Sequence, residues 1–254
     1  MKKKKTIPTI SANKGVEVKY RNKLKSLIKE MSRSCEYWVS VADEPILAHD
    51  ASPVNNIKRI LKDLRKRWET RFNEAAPKIA ELYAKAIKTS SDVALKSALK
   101  NMGLSVEFKL TASMKQSLEA IITENISLIK SIPQQYLQQV EGEVMRAFSV
   151  GRDLKTMVEG IKKIGGVTQR RAELIAYDQS NKANAVVIRT RQLDLGITKG
   201  IWQHSHAGKE PRASHVAANG KEFELTKGCL IDGEYILPGE KIRCRCTWRG
   251  VLPI

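Results

Sequence analysis

Between Tyr20 and Phe148 most apolar residues fall in stripes with the 3.6-residue period of an α-helix, which favours amphipathic helices over a β-sandwich for that part of the chain. Tyr20, Leu24, Leu27, Ile28 and Met31 form one stripe. Ile57, Ile60, Leu61, Leu64, Trp68 and Phe72 form a second, which continues past a kink expected at Pro77 through Ile79, Leu82, Tyr83 and Ile87. Between the two, "ADEPILAHDASPVNN" with Pro45 and Pro53 reads as a loop. Ser91 and Asp92 are suited to cap a separate short helix that stops at Gly103, and Leu104, Val106, Phe108 and Leu110 then alternate as in an extended segment. Helical spacing returns from Met114 to Ile129, restarts after Pro133 at Tyr136, and is expected in two further pieces, one closed by Gly165 and Gly166 and one ending at Gly196.

The composition changes after Lys199. The last fifth of the chain holds His204, His206, His215, Cys229, Cys244 and Cys246, and the turn signals "NG", "DG" and "PG" follow one another closely. Short strands and loops are expected there. The fold class that follows is mainly α, an elongated helical bundle followed by a small α+β C-terminal unit. Its expected divisions are a flexible basic arm over residues 1–15, a helical region over 16–166, and a C-terminal unit over 167–254.

Forty-five Lys and Arg against 27 Asp and Glu leave a formal charge of +18, which attracts polyanions or acidic surfaces. The first thirty residues carry ten basic and two acidic side chains, so Lys2, Lys3, Lys4 and Lys5 are candidate contacts to DNA or a partner. A merely solubilising surface is the alternative. Four cysteines, unevenly spaced, suit a reducing cytoplasm better than a disulfide framework. "MKKKKTIPTI" is not followed by an apolar run, and no 18 consecutive apolar residues occur, so neither a secretory leader nor a membrane span is expected.

Chemistry concentrates in "KIRCRCTWRG" and "QHSHAGKEPRASHVAANG". On a strand Cys244 and Cys246 share a face opposite Arg243 and Arg245, and Trp202, His204 and His206 share another. Thiolate and imidazole are the ligands zinc prefers, so His206, His215, Cys244 and Cys246 are a candidate Cys₂His₂ site for a structural zinc. The alternative is that the cysteines pack as small buried hydrophobes. No H-x-E with P-C-x-x-C, G-x-S-x-G, phosphate loop or H-E-x-x-H occurs. A Cys246–His215 nucleophile pair is the weakest of these readings. No catalytic residue is assigned and the chain is not expected to be an enzyme. It ends at "GVLPI", where no fused catalytic domain is expected to follow.

"PRASHVAANGKEF", followed by "LPGEKIRCRCTW", resembles the phage head morphogenesis family, the Mu F-like minor head proteins of tailed phages. The matching positions are Arg212, His215, Asn219, Gly220, Pro238, Gly239, Cys244, Arg245 and Cys246. "AELIAYDQSNKANA" resembles the helix that precedes the motif, and the likeness extends over roughly residues 110–254. Lys209-Glu210-Pro211 stands where the family often has an acidic pair. The resemblance implies a minor head protein inside the capsid of the virion, with the portal protein and the major capsid or scaffold protein as partners. It further implies double-stranded phage DNA as a ligand in some relatives, which leave with the genome at ejection. A zinc-dependent nucleic-acid-binding module is the competing expectation.

Overall fold

The computed structural model describes residues 4–41, 53–151, 154–207 and 210–253. Helices account for 68% of the described residues. The four long ones are α1 (Lys14–Val41), α2 (Pro53–Lys100), α3 (Ala112–Ser149) and α4 (Leu154–Asp194). They are followed by β1 (Lys199–Gln203), the short α5 (Ala213–Ala217), β2 (Glu222–Glu224), β3 (Cys229–Ile231), β4 (Glu234–Ile236) and β5 (Thr247–Val251). The helical part and the late switch to short strands agree with the periodicity. No described helix is long and apolar enough to cross a membrane.

Helices end where local chemistry stops them. Asn13 Oδ1 accepts the Val16 amide and Thr111 Oγ1 accepts the Met114 amide, so each caps a helix start. Gly103, at φ +80°, closes α2, with the Leu104 amide reaching back to the Leu99 carbonyl at 3.0 Å. Gly196 closes α4 in the same manner, the Ile197 amide donating to the Gln192 carbonyl.

Three expected breaks are absent. Ser91 and Asp92 start no helix, because both are buried inside α2 and bonded elsewhere. Pro133 lies within α3, where Ile129, Ile132, Tyr136 and Leu137 continue one buried face on either side of it. Gly165 and Gly166 lie within α4, and at Gly165 the helix passes so close to α1 that an added side chain would collide with Ser32 Oγ.

The chain divides into two compact units. One comprises residues 19–80 and 124–175. It is helical, and its core takes Leu24, Ile28, Met31, Leu64, Trp68, Phe72, Tyr136 and Val140 from the stripes of α1, α2 and α3. Its buried polar pair is Tyr20 with Asn125, the hydroxyl donating at 2.8 Å, and Lys25–Glu173 and Arg65–Glu141 are ion pairs nearer its surface.

The other unit comprises residues 1–18, 81–123 and 176–254. Its three-stranded sheet has the order β2-β1-β5, antiparallel throughout, and β3 and β4 form a separate hairpin. Asp232 and Gly233 both have positive φ, the two-residue turn that fits the twist of a hairpin. Gly200 and Gly250 face each other across β1 and β5. Added side chains would meet Trp248 at 2.8 Å and Gln192 at 2.8 Å respectively, so the glycines let the indole and α4 approach the sheet.

Part of the expected arm packs against this unit. The Ile7 amide donates to Gly250, the Leu252 amide donates to Lys5, and Ile7 is fully buried among Leu95, Leu99, Trp248 and the other residues of this core. One apolar residue with two backbone bonds to the β5 region is enough to order a segment that has no period of its own. The alternation over 104–110 is present as half-buried Leu104, Val106 and Phe108 against the same core, without strand pairing; Leu110 is exposed.

Candidate functional site

Cys244, Arg245 and Cys246 lie in extended chain just before β5, and their side chains alternate as the sequence pattern requires, both thiols buried and Arg245 exposed. The turn before them has Arg243 at φ +59°, an unfavourable angle for a side-chain-bearing residue. It is held by Asp178 of α4, whose Oδ1 accepts the Arg243 amide at 2.7 Å. Burial pushes the Asp178 carboxyl above the usual range, an effect the Arg243 amide opposes.

His215 comes from α5 and is buried. Its Nδ1 lies 3.5 Å from Cys244 Sγ and 3.7 Å from Cys246 Sγ, and the three ligand atoms all fall within 4.8 Å of one another. The Trp202 ring stands edge-on to the imidazole at 5.3 Å. Four N–H groups point at the sulfurs: the amides of Gly239 and Cys246 at Cys244, and the Ser205 amide with the Trp202 indole at Cys246. The indole contact is weak, since Trp202 Nε1 is buried without a full hydrogen bond. The neighbouring Cys246 thiol holds the Cys244 thiol below its ordinary range despite burial, and Cys244 together with burial pushes the Cys246 thiol up.

The three groups line a cleft of ≈ 540 Å³ whose walls include His204, Glu210, Arg212 and Arg243. His204 follows β1, its amide donating to Asn219 Oδ1. Burial, then the neighbouring His206 and His215, lower its pKa.

The remaining motif positions serve the same corner of the fold. Arg212 Nη2 donates to the Ile242 carbonyl at 2.9 Å, tying the start of α5 to the turn before the thiols. Gly220, at φ +82°, donates its amide to the Trp202 carbonyl. Pro238 and Gly239 are buried, and Arg245 lies over the Tyr177 ring at 5.3 Å.

His206 is not in the three-residue group. At φ +49° it leaves the strand alternation that would have set it beside His204, and it is exposed, ring edge-on to that histidine. Of the lysines singled out, Lys2 and Lys3 lie outside the described residues, Lys4 is ion-paired with Glu222, and Lys5 is exposed. The cluster can hold a soft cation or present a thiolate. Sequence reasoning missed Asp178, whose only signal was its place in "AELIAYDQSNKANA", and left His204 out of the ligand set.

Residues 138–249 match the model of the family described as Phage Mu protein F like protein. That span lies inside the expected 110–254 and contains all nine motif positions. Over 248 residues, 96% of this chain, it is 30% identical to an uncharacterized protein of Haemophilus influenzae, and the chain spans 55% of that protein's length. No solved structure matches the chain. Residues 138–249 of the chain are thereby matched to the phage Mu F-like proteins, consistent with a family of phage head morphogenesis.

Proposed function

We propose that this chain is a minor head protein of a tailed phage, seated inside the capsid of the virion, docked on the portal with capsid or scaffold protein beside it, and facing packaged double-stranded DNA. The observation that carries the reading is the family match over residues 138–249, whose nine motif positions converge on one corner of the fold. Their roles support a structural part rather than an enzymatic one: they fix turns, tie α5 to the chain before β5, and bury the thiols.

The charge of +18 supports proximity to DNA. On α2, Lys58, Lys62 and Lys66 are exposed at four-residue spacing, which aligns them along one side of the helix. A ridge of this kind gives phosphate contact without base readout. Binding of this sort releases counterions, so affinity for duplex DNA falls steeply with salt.

The test is to express the tagged chain during growth of its phage and identify what copurifies. Portal protein recovered in stoichiometric excess over other head proteins supports the reading. Recovery of no head protein overturns it.

A further inference from the structure

We infer that His215, Cys244 and Cys246 form a binding site for one zinc-class divalent ion, ligated through Nδ1 and two thiolates, with the fourth coordination position open to the cleft that His204 lines. The inference stands on geometry and does not depend on the head-protein reading.

Zinc binds thiolate at about 2.3 Å and imidazole at about 2.0–2.1 Å, so a tetrahedral ion sets its nitrogen and sulfur ligands roughly 3.6 Å apart. The observed separations are 3.5 and 3.7 Å. The three ligands come from α5 and the segment before β5, 29 and 31 residues apart in sequence, so the fold and not a local turn brings them to this spacing.

A plain hydrogen-bonded seam accounts for the arrangement less well. One imidazole nitrogen offers one lone pair or one proton, yet Nδ1 faces two sulfurs at nearly equal distance. An ion placed among the three atoms satisfies all of them. The surroundings suit thiolates: Gly239, Cys246 and Ser205 amides point at the sulfurs, and the Trp202 indole N–H, buried and without a full partner, is directed at Cys246. Such outer donors orient and stabilise metal-bound thiolates.

On binding, the thiols release their protons to solvent and each sulfur supplies an electron pair to the ion. No oxidation is involved. Three protein ligands leave the fourth corner on the cleft side, where water or an added donor completes the tetrahedron. Cys35 and Cys229 are also buried and free but lie in no such group among the described residues, which makes them internal controls.

The full chain is purified without chelator, incubated with zinc chloride, desalted and assayed by elemental analysis, and X-ray absorption at the zinc edge counts its sulfur neighbours. One zinc per chain with two sulfur neighbours is expected. Cys244→Ser with Cys246→Ser abolishes the stoichiometric zinc, and Cys35→Ser with Cys229→Ser retains it. Zinc absent from the folded, zinc-treated chain overturns the site, as does a sulfur count other than two. The absorption measurement uses the unaltered chain, so it decides the matter even if the double variant fails to fold.

Discussion

Arg191 carries its charge at 1% exposure, and Asp92 makes that burial tolerable. The guanidinium donates to the two carboxylate oxygens at 2.8 and 3.0 Å and to the Lys109 carbonyl at 2.6 Å, and it lies over the Phe108 ring. Removing one partner of such a pair leaves an uncompensated buried charge. Asp92→Ala should therefore destabilise the fold by about 3–5 kcal/mol in urea denaturation; a change below about 1 kcal/mol would show that the pair does not anchor this unit. The pH dependence has a definite sign. Burial alone would raise the Asp92 pKa, but Arg191 and Lys88 override it and hold the carboxyl below its usual range. Its contribution is present above the unfolded value of about 3.9 and disappears as pH falls through the folded value. Asp92→Asn should flatten the acid limb of the stability curve below about pH 4, measured by thermal melts across pH. Single residues were readable in the sequence where their own chemistry is distinctive, as with the thiols and His215, but their partners were not. Ser91 and Asp92 read as a helix cap because their side chains favour caps, whereas Asn184 and Arg191, 93 and 99 residues away, claim them.

Among the elements, the four long helices were legible as stripes, but their continuity was not. Proline and paired glycines signal a break only when nothing else rewards continuing. Here Pro133 sits between buried turns, and Gly165 gives the backbone room beside Ser32. The neighbouring glycines separate the two causes. At Gly166 an added Cβ would meet nothing closer than Arg170 Nη1 at 3.8 Å, so Gly166→Ala should gain up to about 1 kcal/mol of helix propensity. At Gly165 the same change drives a methyl group into Ser32 Oγ and should cost roughly 1–3 kcal/mol net. Opposite shifts in melting temperature for the two variants are expected; equal stabilisation would mean that the close approach is not required. The strands β2, β3 and β4 were legible only as a cluster of turns, since three-residue strands carry almost no periodic signal.

The molecule as a whole joins sequence-distant parts in ways that periodicity does not encode. Residues 1–18 belong with residues 176–254 rather than with the helical unit that begins at residue 19. Ile7→Ala should accordingly cost about 2–5 kcal/mol, the cost of emptying a core position, although a chain terminus usually tolerates such changes. Measured by urea denaturation, a change near zero would return the segment to the status of a loose arm. The positive charge is likewise a property of the whole chain. Lys58→Gln, Lys62→Gln and Lys66→Gln together should shallow the dependence of duplex-DNA affinity on salt by about 0.9 for each phosphate no longer neutralised, read by fluorescence anisotropy. An unchanged slope would place the phosphate-binding surface elsewhere.

Whether the chain works inside a phage head can be read from quantitative mass spectrometry of purified, DNA-filled heads of its phage, with protease treatment before the peptides are identified. Peptides of this chain are expected at low copy number relative to the major capsid protein, protected while the heads are intact and digested once they are opened. Peptides that are absent, or removed by protease from intact heads, would contradict a place in the capsid interior.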